Sequence, residues 1–379
     1  MRIKPTALFL LLILFVSSCG KQDNISPNKS KKKITGKMLP DLRFYAQSAK
    51  IDAYLKRRNK HGLFNGTALF AKGDTIVYEG AYGYADFRKK KRLNLRSKFQ
   101  LASVSKTLTS YAVILLKYKN LLSYSDSLGK FFPNFPYKGV TIHHLLTHRS
   151  GLPEYFYFAD SLWRDKRKLA INNQDVLDIL YNHQPPKYYL PGKRYNYCNT
   201  NYALLVLIIE KVSGKKYSDF MRENIFEPLG MNDTEVYNKT EEPLNHNTVK
   251  GYIRWRRKAD NTYLNGVVGD KGIYSTVMDL YKFDRALAHH IQIPSEEINK
   301  AFIPYHKDLY PNDNYGYGWR INSLPGGGKI VHHTGWWKGF RSYFIRSLKD
   351  NKTIIVLSNM SDHGIFYSSE LMDLFDIKH

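Results

Sequence analysis

The sequence predicts a mixed α/β fold of the α+β type. We expect an antiparallel sheet flanked by helices, built from N- and C-terminal segments, with an all-helical subdomain inserted at about residues 116–250. Three observations lead there. Short apolar runs of strand character lie near both ends of the chain. The middle reads as helix and loop. The 379 residues, 43% hydrophobic and 24% charged, suffice for one large core or two subdomains sharing a cleft, and show no internal repeat.

Residues 41–58 carry Leu42, Tyr45, Ile51 and Leu55 at the spacing of an amphipathic helix. The rhythm then changes. Residues 67–71 and 75–78 are strand-like and joined by the turn Lys72-Gly73-Asp74. Residues 99–102 lead into a helix running from Ser103 to Leu116. A short helix over 142–148 stops at Ser150-Gly151-Leu152-Pro153, where Gly and Pro both oppose continuation. Residues 202–212 form a strongly apolar helix closed by Ser213-Gly214, and residues 217–226 another, stopped by Pro228. The helix over 276–288 starts with Thr276 as N-cap, three residues before Asp279. Strands are expected at 316–321, 329–333, 342–346 and 353–358, with Asp350-Asn351 turning the last hairpin. Such a sheet around a helical middle leaves a cleft between the two parts, the default place for a site.

Residues 1–18 read as a targeting signal. Arg2 and Lys4 precede an apolar run from Ala7 to Val16, too short to span a bilayer comfortably. Val16-Ser17-Ser18-Cys19-Gly20 then resembles the lipobox of bacterial lipoproteins, which are cleaved before the cysteine and lipidated on its thiol. An ordinary secretory signal is the alternative. On the lipobox reading, Cys19 is the lipidation site, residues 19–40 are a lipidated flexible linker, and residues 41–379 are the folded domain. The expected location is the bacterial cell envelope, anchored to the membrane and facing the periplasm or exterior. Cys198 is the only other cysteine, so no intrachain disulfide is expected in the mature chain.

The formal charge is +25 at pH 7, which attracts polyanions. The basic residues are scattered outside the N-terminal tail and form no nucleic-acid-binding fingerprint, so no nucleic acid partner is expected. A lysine-rich proteome is the simpler account of the charge. A mean hydropathy of −0.46 excludes a polytopic membrane protein.

Three short segments can carry chemistry. Ser103-Val104-Ser105-Lys106 sets an amine three residues after a hydroxyl, on one face of a helix start. A serine hydroxyl needs such a base within reach to act as a nucleophile. The helix N-terminus favours negative charge developing there, and the Ser103 N–H can donate to an oxyanion. Tyr197 and Asn199 flank Cys198, which is expected to face inward. A tyrosine beside cations can have a lowered pKa and shuttle the serine proton. Asn199 can donate to a substrate carbonyl or orient Lys106. His333-Thr334-Gly335 lies on a predicted strand, where the glycine lets backbone approach a substrate. His333 and Thr334 can hold a substrate carboxylate, and the Trp336 N–H can be the second oxyanion donor. Each segment alone also fits an ordinary cap, loop or strand edge. His144 and His148 stand four apart, a possible metal pair. Leu145 replaces the glutamate of a zinc-protease helix, and no metal is expected.

With these residues in order, the chain resembles the serine β-lactamase and penicillin-binding-protein superfamily, on the class C β-lactamase-like branch. The resemblance runs over about residues 41–370. It includes Phe64-Asn65-Gly66-Thr67, the segment 99–106, the segment 145–153, Pro191 to Thr200, residues 225–231, Tyr315 to Trp319, and His333-Thr334-Gly335. It implies the β-lactamase/transpeptidase-like fold, with Ser103 as acylated nucleophile and Lys106 and Tyr197 managing its proton. No metal or organic cofactor is implied. The implied activity is a serine hydrolase acting on D-amino peptides, β-lactams or esters, closest to a D-alanyl-D-alanine carboxypeptidase or esterase. The partner is then a small-molecule or peptide substrate of cell-wall origin. The rival reading is a catalytically silent penicillin-recognising or cell-wall-binding lipoprotein. Four positions depart from the branch pattern. His333 stands where class C β-lactamases have lysine. Cys198 replaces serine or alanine, Asp270-Lys271-Gly272 replaces a Gly-Gly segment, and Trp336 and Trp337 replace small residues and narrow the cleft.

Overall fold

Chain order shows how the two ends meet. Helix α1 (Leu42–Lys60) leads into the hairpin of β1 (Gly66–Lys72) and β2 (Thr75–Tyr82). Short strands β3 (Tyr84–Asp86), β4 (Lys91–Arg92) and β5 (Phe99–Gln100) follow. A single 3-10 turn, Ala102–Val104, then opens α2 (Ser105–Tyr118). The middle of the chain holds α3 (Leu128–Phe131), α4 (Ile142–Leu146), α5 (Tyr155–Leu162), α6 (Asn173–Asn182), α7 (Asn199–Ser213) and α8 (Tyr217–Met221). Then come β6 (Glu235–Val236), β7 (Tyr252–Ile253), β8 (Arg257–Lys258) and β9 (Ile273–Ser275), followed by α9 (Val277–Ala288) and α10 (Ser295–Ile298). The last part is β10 (Asn314–Tyr315), β11 (Arg320–Ser323), β12 (Lys329–Trp337), β13 (Phe340–Ser347), β14 (Lys352–Ser358) and α11 (Ser368–Leu374). This computed structural model describes residues 42–163, 169–237, 247–253, 256–306, 314–325, 327–361 and 367–379. The signal segment, Cys19 and the linker lie outside the described residues.

Seven strands form one antiparallel sheet in the order β10-β11-β12-β13-β14-β1-β2. Strand β14 pairs with β1 from Gly66↔Ser358 to Lys72↔Lys352, so the C-terminal meander closes onto the N-terminal hairpin. Side chains alternate across a strand, and here both faces are covered. Ala68, Phe70, Ile354 and Val356 face a layer with Ile51 and Leu55 of α1 and Leu371 of α11. Leu69, Ile355 and Leu357 face the larger core with α2, α7 and α9. Fully burying one such side chain contributes roughly 1.5–3 kcal/mol. Helix α7 is apolar nearly all round and buried from Thr200 to Ile209, as a helix at the centre of a helical layer should be. Gly214, at φ +67°, caps it where an L-residue would be strained.

Several expectations need correction. The α-helix starts at Ser105, and Ser103 belongs to the 3-10 turn before it. Ala102 there has φ +47°, a left-handed conformation that a residue with Cβ adopts at a cost of roughly 1–3 kcal/mol. The strand expected over 316–321 is instead a hairpin, β10 and β11, whose turn includes Gly318 at φ +80°. A Cβ on Gly318 would meet Ser110 Oγ at 2.3 Å, because this turn lies directly on α2. The helix expected over 217–226 tightens into α8 and then widens into a π turn, Arg222–Phe226. Helix α6 was unforeseen, although Asn172 and Asp175 form a capping box that marks its start. The inserted region is not purely helical. Among its described residues β6 pairs with β9, which also holds β5. The two histidines do not share one helix: His144 lies in α4 and His148 beyond it. Helix α4 ends at Leu146, and His148 follows in a left-handed conformation.

Candidate active site

The cleft lies where the 3-10 turn, the start of α7, the loop before β9 and the end of β12 converge. Its volume is about 330 Å³, and Ser103, Tyr197, Asn199, His333, Thr334, Gly335 and Trp336 all line it. Lys106 sits at its base, fully buried on the first turn of α2. Strand β12 pairs with β11 only from Lys329 to His332, so its later residues present an open edge toward the 3-10 turn. Gly335 permits that approach. A Cβ there would stand 2.2 Å from Ser342 Oγ and 2.3 Å from the Leu101 carbonyl oxygen. The Ser342 hydroxyl donates to that carbonyl at 2.5 Å and ties β13 to the turn.

Lys106 Nζ lies 3.1 Å from Ser103 Oγ, 2.8 Å from Asn199 Oδ1 and 2.8 Å from the Asp270 carbonyl oxygen. Burial lowers its pKa to about 8, against the opposing pull of Asp270 and Glu154. Tyr197 stands over the same amine, which is 5.0 Å from its ring centroid. The Ser103 side chain acts to lower the pKa of the Tyr197 hydroxyl. The lowered tyrosine pKa expected from nearby cations is not found. Burial raises it, outweighing Ser103 and Arg320, so Tyr197 is a neutral phenol. Cys198 faces the interior, as expected, and burial raises its thiol pKa.

Asn199 and His333 both have fixed partners. Asn199 Oδ1 accepts from Lys106, while its Nδ2 donates to Glu154 Oε2 at 3.1 Å. The amide thus orients Lys106, one of the two roles expected of it, and its Nδ2 carries a second N–H able to donate to a substrate carbonyl. His333 is buried with Nδ1 donating to the Thr334 carbonyl at 2.8 Å, so its Nε2 accepts from the Tyr315 hydroxyl at 3.0 Å. Burial, with Arg320 and Lys106 adding, holds its pKa well below the usual imidazole range. A neutral, doubly bonded imidazole supplies no positive charge to a carboxylate. The cations in the cleft are instead Arg320, Arg341 and Lys271, all unforeseen as site residues. Arg320 reaches the cleft from β11, where it pairs with His332, a register that no local sequence signal gave. Lys271 is buried, and its amine bonds Tyr155 and the Val267 carbonyl at 2.5 and 3.1 Å. Burial lowers its pKa while Asp270 opposes.

A possible metal role for His144 and His148 finds no support in their contacts. His144 Nδ1 accepts from the Thr141 N–H in a capping box, and His148 Nδ1 accepts from the Cys198 N–H at 3.1 Å. Among the described residues no group of His, Cys, Asp and Glu is placed to hold a metal.

A Ser-x-x-Lys segment at a helix start and a Tyr-x-Asn segment facing a sheet edge define a β-lactamase/transpeptidase-like scaffold. The sequence model of the Beta-lactamase family matches residues 49–364, and the chain belongs to that family. It is 39% identical over 313 residues to "Penicillin-binding protein 4*" of Bacillus subtilis (strain 168), covering 79% of this chain and 69% of the relative. Its structure is similar to that of the penicillin binding protein from Bacillus halodurans, with TM-score 0.73, 28% identity, and 85% and 98% of the two chains covered. A D-amino acid amidase from Ochrobactrum anthropi SV3 aligns with TM-score 0.71 over 88% of this chain and 97% of its own. At 23% identity that likeness shows the fold alone.

Proposed function

We propose that this protein is a serine hydrolase that forms an acyl-enzyme on Ser103. One observation carries the reading: two of the three polar contacts of the Lys106 amine are carbonyl oxygens, and the third is Ser103 Oγ. Carbonyl oxygens only accept, so in the neutral amine they take both N–H bonds and the lone pair is left facing the serine. Such a base works near its own pKa, here about 8. As Oγ bonds to the substrate carbonyl carbon, its proton passes to Lys106. The carbonyl oxygen becomes an oxyanion, received by the N–H groups of Ser103 and Trp336. The bond to the leaving group then breaks. The leaving amine or alkoxide takes its proton from the Tyr197 hydroxyl, which is resupplied by the Lys106 ammonium. Water repeats the sequence on the acyl-enzyme and releases the acid.

The substrate we propose is a D-amino peptide with a free terminal carboxylate, of cell-wall origin. Arg320 and Arg341 support this, with the Thr334 hydroxyl beside them, since His333 is neutral. The kinship with penicillin-binding proteins supports penicillin as a competing acyl donor. Fluorescent penicillin and a fluorophosphonate should each label the wild type, and Ser103→Ala should lose both adducts. An adduct persisting on Ser103→Ala refutes the assignment. A penicillin adduct with no turnover of any peptide or ester would favour the silent penicillin-recognising reading instead. Arg320→Gln should weaken use of a D-alanyl-D-alanine peptide by about tenfold or more while sparing its C-terminal amide, as loss of a hydrogen bond to a charged group implies. Equal effects on both would remove Arg320 as the carboxylate anchor.

We also propose that Cys19 is lipidated and anchors the protein in a bacterial cell envelope. The apolar run and the Val16 to Gly20 segment support this. Among the described residues no helix is long and apolar enough to cross a membrane. Mass spectrometry of the membrane fraction should find an acylated Cys19 at the N-terminus. Unmodified Cys19 in a soluble protein would refute the anchor.

A further inference from the structure

Glu154 lies behind the site, 7% exposed, on the loop that opens α5. Its Oε1 accepts from the Phe156 N–H at 3.3 Å. Its Oε2 accepts from the Asn199 backbone N–H at 2.7 Å and from Asn199 Nδ2 at 3.1 Å. Burial raises its pKa, and the Asn199 and Phe156 N–H groups and Lys106 oppose that rise. Each of these hydrogen bonds brings it a donor, which suits an ionised carboxylate, since that group only accepts. The consequence falls on Asn199. An amide side chain has one donating and one accepting end, of nearly equal shape. Packing alone cannot choose which end faces Lys106. A carboxylate on the far side does choose, because only the Nδ2 end can bond it.

We infer that Glu154 is a positioning residue for the proton transfer, holding the Asn199 amide so that Oδ1 faces Lys106 and the lysine lone pair stays on Ser103. The inference rests on the reading of Lys106 as base. With the amide reversed, Nδ2 would donate to the amine. Lys106 would then offer its lone pair to Asn199 and have none for the serine. The Asp270 carbonyl completes the arrangement as the second fixed acceptor at 2.8 Å.

Glu154 also acts on Lys106 through space, and its negative charge favours the ammonium. Other groups face Lys106 from every side. Asp270 and Lys271 lie on the loop before β9, Arg320 on β11, and His333 on β12. His148 follows α4, Tyr197 and Cys198 precede α7, and Tyr202 lies within it. The Glu154 charge also favours the ammonium of Lys271 and raises the pKa values of Tyr197 and Cys198, so the two effects of the substitution on Lys106 are read together with these. Losing the acceptor-only group lets Asn199 reverse and slows the reaction. Losing the charge shifts Lys106 toward its neutral form and moves the ascending limb of the pH profile to lower pH.

A fluorophosphonate tests this without knowledge of the natural substrate. Ser103 Oγ bonds phosphorus, fluoride leaves, and the hydroxyl proton goes to Lys106. Glu154→Gln should lower the maximal rate about tenfold or more, within the ~10²–10⁴ that a general base supplies. The half-saturating concentration should hold within about twofold, and the midpoint of the pH profile should move down. Glu154→Asp keeps an acceptor-only group and should retain the wild-type midpoint and a higher maximal rate than Glu154→Gln. It also serves if Glu154→Gln does not fold. A wild-type rate and midpoint in Glu154→Gln overturn the proposal. So does a slowed Glu154→Gln with an unmoved midpoint, or a Glu154→Asp equally slow, since either leaves Glu154 as a helix cap only. Lys106→Met, measured in parallel, reports on the underlying reading: if it reacts at the wild-type rate, Lys106 is not the base, whatever Glu154 does.

Discussion

Lys106 is the residue at which stability and chemistry conflict. Its amine is wholly buried and its pKa falls from 10.5 to about 8. Between those values the unfolded chain binds more protons than the folded one, so stability rises with pH across that window. Below pH 8 the full cost is present, on the order of 3 kcal/mol by linkage. The wild type should therefore gain stability relative to Lys106→Met as pH rises from about 8 to 10.5. Urea denaturation of both proteins at several pH values tests this. Parallel curves would mean that the folded protein holds Lys106 charged. The Ser-x-x-Lys spacing was visible in the sequence. The lowering of the lysine's pKa by burial was not, nor was its seat between the carbonyls of Asn199 and Asp270, about 90 and 160 residues away along the chain.

At the scale of elements, the contact of β12 with the 3-10 turn places Ser103 beside the strand edge. Gly335 is its hinge point, since a Cβ would overlap both Ser342 Oγ and the Leu101 carbonyl. Gly335→Ala should push strand and turn apart and pull the Trp336 N–H from the oxyanion position. Losing one such donor costs about 10²–10³ in rate. The rate of Ser103 phosphonylation in Gly335→Ala should fall by that order. A fall below about threefold would show that β12 does not supply the oxyanion donor. Strands β1, β12, β13 and β14 were legible because alternation and β-branched content mark them. The hairpin of β10 and β11 was not. Its sequence is a continuous run of strand formers and glycines, and the turn at Gly318 arises only because α2 lies against it.

Across the whole molecule, Asp284 of α9 joins the helical layer to the sheet. It is fully buried, bonds both Arg285 and Arg346 of β13, and its pKa is held down by those guanidinium groups against the effect of burial. Removing one partner of a buried ion pair costs about 3–5 kcal/mol, because the remaining charge stays in a poor solvent. Asp284→Ala should lose about that much stability in urea, with the half-saturating fluorophosphonate concentration unchanged in the folded fraction. A loss under about 1 kcal/mol would show that Arg346 finds other partners.

The architecture and the residues that gather at the cleft were legible along the chain. Those follow from local periodicity, caps and short motifs, which are properties of neighbours along the chain. Only the tertiary structure decided protonation and charge in the cleft. It brought the Lys106 pKa down to about 8, kept Tyr197 a neutral phenol and His333 a neutral imidazole, and set Arg320 in the cleft. The reason is physical: pKa values and hydrogen-bond polarity depend on burial and on partners brought from distant segments, and neither is written in the spacing of a motif.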